Sequence, residues 1–327
     1  MRRTTAWCAF LFVLPACSTG SDPEADRTPP ANPSSSVAPS AATSSPPSPP
    51  EASTPGPLRP ADLRVGTAVR TVRHLAGSIG PRHATSPAFR RATRWTASQL
   101  RQLGYDVRRQ TFAVPSGTSW GVPVRAGRSA NLVAATAGFR PDQPHLVVGA
   151  HLDTVPQAPG AEDNASGIGV LLAVAESVAE ARTRLPVVFV AFGAEEPRGP
   201  TDADHHYGSR HYVTALSAAQ RRNLRGMVSL DRVGVGRVLP VCGASTGRDR
   251  LEDALLRAAD RAKVAATSCG QNRSSDHWSF ARAGLPGVRL GSTPYAGYHS
   301  PGDVPAVVNR DQLARAGRTV LAWLSAP

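Results

Sequence analysis

The chain has 327 residues, 41% of them apolar, and a formal net charge of +13. That apolar share can fill one large core or two modest ones. The positive charge is almost all arginine, with Lys263 the single lysine. It is spread along the chain without the basic runs and interleaved aromatics of a nucleic-acid surface, so no nucleic-acid partner is expected.

The first elements read as export signals. Arg2 and Arg3 precede a short apolar run, Ala6 to Ala16, too short to span a bilayer as a mature helix. The run ends Leu14-Pro15-Ala16-Cys17, which is similar to the lipobox of bacterial lipoproteins, where the cysteine carries the lipid. The expected location is extracytoplasmic, either lipid-anchored through Cys17 on the outer face of the cell membrane or secreted. Residues 18–58 are rich in Pro, Ser, Ala and Thr, without apolar periodicity. Such a composition cannot bury a core and reads as a flexible tether. The expected organisation is a signal over 1–17, a tether over 18–58 and one folded domain over 59–327.

Within that domain Leu63, Val69, Val72 and Leu75 recur at helical spacing over Ala61 to Ser78. Ser86-Pro87 opens a second helix that runs to Leu103 and stops at Gly104. Strands follow at Tyr105 to Val114, Asn131 to Ala135 and His145 to Ala150. Next come a helix over Ser166 to Glu180, a strand over Leu185 to Phe192 and a helix over Arg210 to Leu216. Strands at Met227 to Leu230 and Arg237 to Cys242 lead to a helix over Arg248 to Ala262. The chain closes with a short helix at Asp276 to Ala283, a strand at Gly287 to Leu290 and a helix from Asp311 to Leu324. Alternating strands and helices over this length predict a single α/β/α sandwich around a largely parallel sheet. Cys242 and Cys269 each follow a strand-like run, so neighbouring strand ends can join them in a disulfide.

Acids and histidines gather where strands end. His151 and Asp153 follow one strand and Asp163 the next loop; Glu195-Glu196 follows Val187 to Phe192, and Asp231 follows Leu230. His299 sits in the loop Tyr-Ala-Gly-Tyr-His-Ser-Pro-Gly-Asp before the last helix. In a parallel sheet the C-terminal strand ends converge on one edge, where these side chains can meet. Carboxylates gathered without matching lysine or arginine repel unless cations neutralise them. Imidazole with carboxylate suits zinc, two imidazoles with several acids suit a pair of zincs, and the nitrogen ligands argue against calcium.

Taken in order, His-x-Asp, Asp-Asn-x-Ser-Gly, Gly-Ala-Glu-Glu, a strand-end Asp and Tyr-His-Ser-Pro-x-Asp resemble the di-zinc aminopeptidases of metallopeptidase family twenty-eight. The resemblance covers residues 60 to 325 and includes Ile79-Gly-Pro-Arg and Ser275-Asp-His-x-x-Phe. It implies a zinc-peptidase-like fold and removal of the N-terminal residue from peptides with a free N-terminus; a monomer is expected. It implies two zinc ions, bridged by Asp163, with Glu196 and His299 completing one site and His151 and Asp231 the other. Asp153 would orient the His151 imidazole. Glu195 would be the general base toward a metal-bridging water, and Tyr298 would hydrogen-bond the substrate carbonyl, with Tyr295 its competitor.

The sequence departs from the pattern in three places. Arg232 follows Asp231 where the family has a small or apolar residue. Pro197 to His206 replaces the usual Gly-Leu-x-Gly-Ser continuation, which Gly208-Ser209 recovers, and is expected to line the substrate cleft. Ser274-Ser275 doubles a serine that is normally single. His205, His206 and His211 read as surface or loop residues, and Asp276 and His277 as packing. Gly243-Ala-Ser-Thr-Gly matches a nucleophile elbow, but that reading leaves His151, Asp163, Glu195, Glu196 and Asp231 without a role. The remaining alternatives are a glutaminyl-peptide cyclotransferase-like enzyme and a tethered binding homologue without catalysis.

Overall fold

A computed structural model describes residues 55–325. The expected signal, the lipobox cysteine Cys17 and nearly all of the expected tether lie outside the described residues. Among the described residues no helix is long and apolar enough to cross a membrane.

The chain enters through α1 (Val65–Val72), whose last turn widens into a π-helix over Arg73–Ile79. The second helix, α2 (Pro87–Gln102), starts as the sequence predicts: Pro87 takes the first helical position, and the Ser86 hydroxyl accepts the Phe89 N–H. Gly104, at φ 86°, turns the chain into β1.

The strands are β1 (Tyr105–Val114), β2 (Gly117–Ser119), β3 (Val122–Val124), β4 (Gly127–Thr136) and β5 (His145–His151). After α3 (Gly167–Ala179) comes β6 (Val187–Phe192), then α4 (Tyr207–Thr214), α5 (Ala218–Asn223) and β7 (Leu224–Leu230). The last part holds β8 (Leu239–Cys242), α6 (Arg250–Arg261), β9 (Ala266–Cys269), α7 (His277–Arg282), β10 (Gly287–Leu290) and α8 (Arg310–Ser325). The hairpin β2–β3 and helix α5 are elements that periodicity did not reveal.

Eight strands form one sheet in the order β1-β4-β6-β5-β7-β10-β8-β9. The middle run β6, β5, β7 and β10 is parallel, as are β8 and β9; β1, β4 and the β8–β10 pair run antiparallel. The parallel strands read as unbroken apolar runs because helices cover both faces. Leu146, Val148 and Ala150 point into a core shared with α1, α2, α3, α6 and α8. Val147, Val188, Val190, Phe192 and Met227 face a smaller cluster with Tyr212 of α4 and Phe280 of α7. Helix α3 is buried almost all round, and Gly169 lets it close on α1: a Cβ there would stand 2.7 Å from the Ala68 carbonyl oxygen. The register of β8 against β9 sets Cys242 opposite Cys269, and the two form a disulfide with their Cα atoms 4.4 Å apart.

Candidate metal centre

The parallel strands deliver their next residues to a single edge. His151 is the last residue of β5, Asp231 follows β7, and Glu195-Glu196 comes three residues after β6. Ala194, at φ 57°, bends the chain there. Asp163 lies in the turn before α3, where its peptide bond to Asn164 is cis. His299 comes in from the loop before α8.

These groups meet. The His151 Nε2 atom lies 3.2 Å from Asp163 Oδ1, 3.7 Å from Asp231 Oδ1 and 3.9 Å from Glu195 Oε2. On the other side of Asp163, His299 Nε2 lies 3.1 Å from Asp163 Oδ2 and 3.4 Å from Glu196 Oε2. Asp163 thus faces one imidazole with each carboxylate oxygen. Two sets of ligand-type atoms lie close enough to share an ion: His151, Glu195 and Asp231, and His151, Asp163 and Glu196. Tyr298 stacks on His299 with ring centroids 3.7 Å apart, beneath the Arg232 guanidinium.

Buried loops hold this constellation. Arg82, from Ile79-Gly-Pro-Arg, is fully buried and donates to the carbonyls of Leu152, Pro159 and Gly160, pinning the loop between His151 and Asp163. Asp303, the last residue of Tyr-His-Ser-Pro-x-Asp, accepts the N–H groups of Glu162 and Asp163. Asn164 donates to the Leu230 carbonyl and accepts from Arg232 N–H, tying the Asp163 turn to the Asp231 turn. The Glu162 carboxylate accepts from Gly234 and Val235, although burial lifts its pKa to about 8.

Asp153 lies against both the acidic turn and the His151 imidazole. Its carboxylate accepts the N–H groups of Glu195 (3.1 Å) and Glu196 (3.2 Å), so it orients the acidic turn. The His151 Nδ1–H group points to the Asp153 backbone carbonyl at 3.2 Å, while the carboxylate stands 3.9 Å away. A proton on Nδ1 leaves the Nε2 lone pair facing the three carboxylates.

That geometry fits a cation. An imidazole lone pair aimed at carboxylate oxygens is repulsive unless a proton or a metal lies between them, and Glu196 Oε1 is buried without a hydrogen-bond partner. The chain's own groups balance charge only by sharing protons. Burial and the nearby charges of Asp163 and Glu195 push the Glu196 carboxyl well above its ordinary range. Burial opposes charge on His151, but Glu195, Asp163 and Asp231 outweigh it and raise the imidazole. Burial likewise opposes charge on Asp163, yet the His151 and His299 bonds hold it well below the usual carboxylate range. Asp231 is also held low, chiefly by the Arg289 guanidinium against the penalty of burial.

Some functional neighbours escaped sequence reasoning. Arg289 of β10 is fully buried, with Nη2 3.1 Å from Asp231 Oδ1 and Nη1 donating to the Ser274 carbonyl and hydroxyl. A charge inside an apolar strand was the available signal, because burying it demands a partner. His206, read as a surface or loop residue, ends the loop before α4 but is buried, with Nε2 3.1 Å from Glu195 Oε1. Asp276 and His277 are fully buried. Trp120, at the tip of the β2–β3 hairpin, reaches over the site with its ring centroid 4.2 Å from that of His299. The cleft is lined by Trp120, His205, Arg232 and Tyr298 above the acids. A roomier hollow of about 360 Å³ beside Phe139, His145 and Tyr212 lacks such a gathering of acids and imidazoles.

A carboxylate–imidazole cluster at the C-terminal edge of a mostly parallel sheet defines a metallohydrolase-type α/β scaffold. The chain belongs to peptidase family M28, whose sequence pattern matches residues 131–324. It is 30% identical over 205 residues to Aminopeptidase YwaD of Bacillus subtilis, an alignment covering 59% of this chain and 44% of that protein. Its fold is similar to that of BSAP, a zinc aminopeptidase from Bacillus subtilis, at a TM-score of 0.71 and 20% identity, covering 80% of this chain and 94% of the other. It is also similar to Porphyromonas gingivalis glutaminyl cyclase, at a TM-score of 0.68 and 22% identity, covering 80% and 98%.

Proposed function

We propose that the protein is a zinc-dependent aminopeptidase that removes the N-terminal residue from peptides. The observation that carries this reading is Asp163 set between two imidazoles, with Glu196 beside one and Asp231 beside the other. His151, Asp163 and Asp231 would hold one zinc, and Asp163, Glu196 and His299 a second. Glu195 also lies within reach of the first site. The family resemblance gives Glu195 the part of base rather than ligand, and Glu196 Oε1, buried without a hydrogen-bond partner, is open to a cation.

Zinc so held would act as a Lewis acid on the scissile carbonyl and ease deprotonation of water. Glu195 takes the proton of the attacking water at Oε2 and passes it to the leaving amine nitrogen. Asp153 keeps the Glu195-Glu196 turn in place through its two backbone hydrogen bonds. Tyr298 donates its phenol O–H to the carbonyl oxygen as negative charge develops there. Arg289 offsets the charge of Asp231 from behind. The protein works as a monomer outside the cytoplasm, secreted or held by a lipid on Cys17.

Hydrolysis of aminoacyl anilides tests the reading. Activity should vanish on exhaustive chelation and return with zinc; hydrolysis that survives complete metal removal overturns it. Cyclisation of N-terminal glutamine without anilide cleavage would assign the site to the cyclotransferase reaction instead.

A further inference from the structure

We propose that His206 is the positioning residue for the Glu195 carboxylate, supplied by the Pro197–His206 excursion; this rests on Glu195 being the base of the aminopeptidase reaction. The excursion leaves directly after Glu196 and returns beside it. The His206 N–H donates to the Glu195 carbonyl at 2.9 Å and the Tyr207 N–H to the Ala194 carbonyl at 2.8 Å, so residues 206–207 run alongside 194–195. His206 adopts φ 56° as the residue just before α4, a backbone conformation that the paired segment holds in place.

The side chain adds a second clasp. His206 Nε2 lies 3.1 Å from Glu195 Oε1, with 5% of His206 and 7% of Glu195 exposed. An ionised carboxylate only accepts, so Nε2 is the donor. Glu195 Oε2 is left facing the cluster, 3.9 Å from His151 Nε2. One oxygen is therefore held while the other is free to take a proton. A glutamate has three rotatable side-chain bonds, and fixing them beforehand avoids an ordering cost during reaction.

The excursion is itself anchored. Arg198 N–H donates to the Asp204 carbonyl, the Arg198 carbonyl accepts from Thr118 N–H, and its guanidinium donates to the Pro115 carbonyl at 2.8 Å. The loop is thereby tied to the hairpin that carries Trp120. His206 also stays outside both sets of atoms able to share an ion.

The experiment compares His206→Leu, which removes the donor at similar bulk, with His206→Gln, which keeps an N–H at similar reach. Both are assayed zinc-loaded on an aminoacyl anilide. For His206→Leu we expect kcat to fall about 100-fold, as expected for a base held about an ångström out of place. KM, zinc content and melting temperature should stay near wild type, and His206→Gln should recover most of kcat. In a Glu195→Gln background, His206→Leu should cost nothing further. A readout independent of turnover is the His206 imidazole ¹⁵N signal, expected to shift in Glu195→Ala. Unchanged kcat in His206→Leu overturns the proposal, and so does loss of bound zinc, which would make His206 a ligand. A wild type that hydrolyses no anilide yet shows the imidazole shift removes the aminopeptidase reading, and His206's role with it, while leaving the contact itself intact.

Discussion

Arg289 and Asp231 form a buried ion pair at the floor of the cleft: Arg289 Nη2 lies 3.1 Å from Asp231 Oδ1. The same guanidinium reaches the Asp231 backbone carbonyl and Ser274. A strand-interior arginine on β10 thus sets the charge and orientation of an acid that leaves β7. Removing one partner of a buried pair exposes the full desolvation penalty of the other. Arg289→Met is therefore expected to destabilise the protein by about 3–5 kcal/mol in urea unfolding and to weaken zinc binding in titration. An unchanged zinc affinity would confine Arg289 to folding.

Glu195 is expected to act in proton transfer and not in metal retention. Glu195→Gln should keep its zinc, measured by elemental analysis, while kcat drops by about 10²- to 10⁴-fold. Near-normal turnover would remove it from that role.

His277 makes stability depend on pH. Burial, and then the positive charge of Arg289, depress its pKa from 6.5 to about 3. Between those values the unfolded chain binds a proton that the folded chain refuses, so stability rises with pH through this window and is lost as pH falls below about 6.5. From pH 7 to pH 5 the loss from this group is about 2 kcal/mol. His277→Gln should lose less unfolding free energy over that range than wild type; equal losses would show that the imidazole does not stay neutral in the fold.

The disulfide ties strands that otherwise share only a short ladder at one edge of the sheet. Cys242 and Cys269 are separated by 27 residues, and closing such a loop restricts the unfolded chain by about 3.5 kcal/mol in the chain-entropy picture. The Cys242→Ser, Cys269→Ser double variant should unfold at lower denaturant by a comparable amount while keeping zinc, because neither cysteine is among the residues proposed to hold it.

The sequence by itself determined most of the helices, the strand ends and the acids and imidazoles that gather at them. Apolar periodicity marks buried elements whatever their partners, and acids or imidazoles directly after apolar strands stand out against them. Ser86-Pro87, Gly104 and the runs before His151, Glu195 and Asp231 were legible for that reason. The same local information missed the β2–β3 hairpin, whose strands are too short to show a period, and read His206 as a surface or loop residue without its partner Glu195. Only the tertiary structure decided which atoms meet. It gave the Asp153 carboxylate to the Glu195-Glu196 backbone, supplied Arg289 to Asp231, brought Arg82 under the loop between His151 and Asp163, and returned a ten-residue excursion to place His206 against Glu195. All but the last of these contacts join residues forty or more positions apart in the chain, and burial makes each of those polar groups find a partner that no local pattern names.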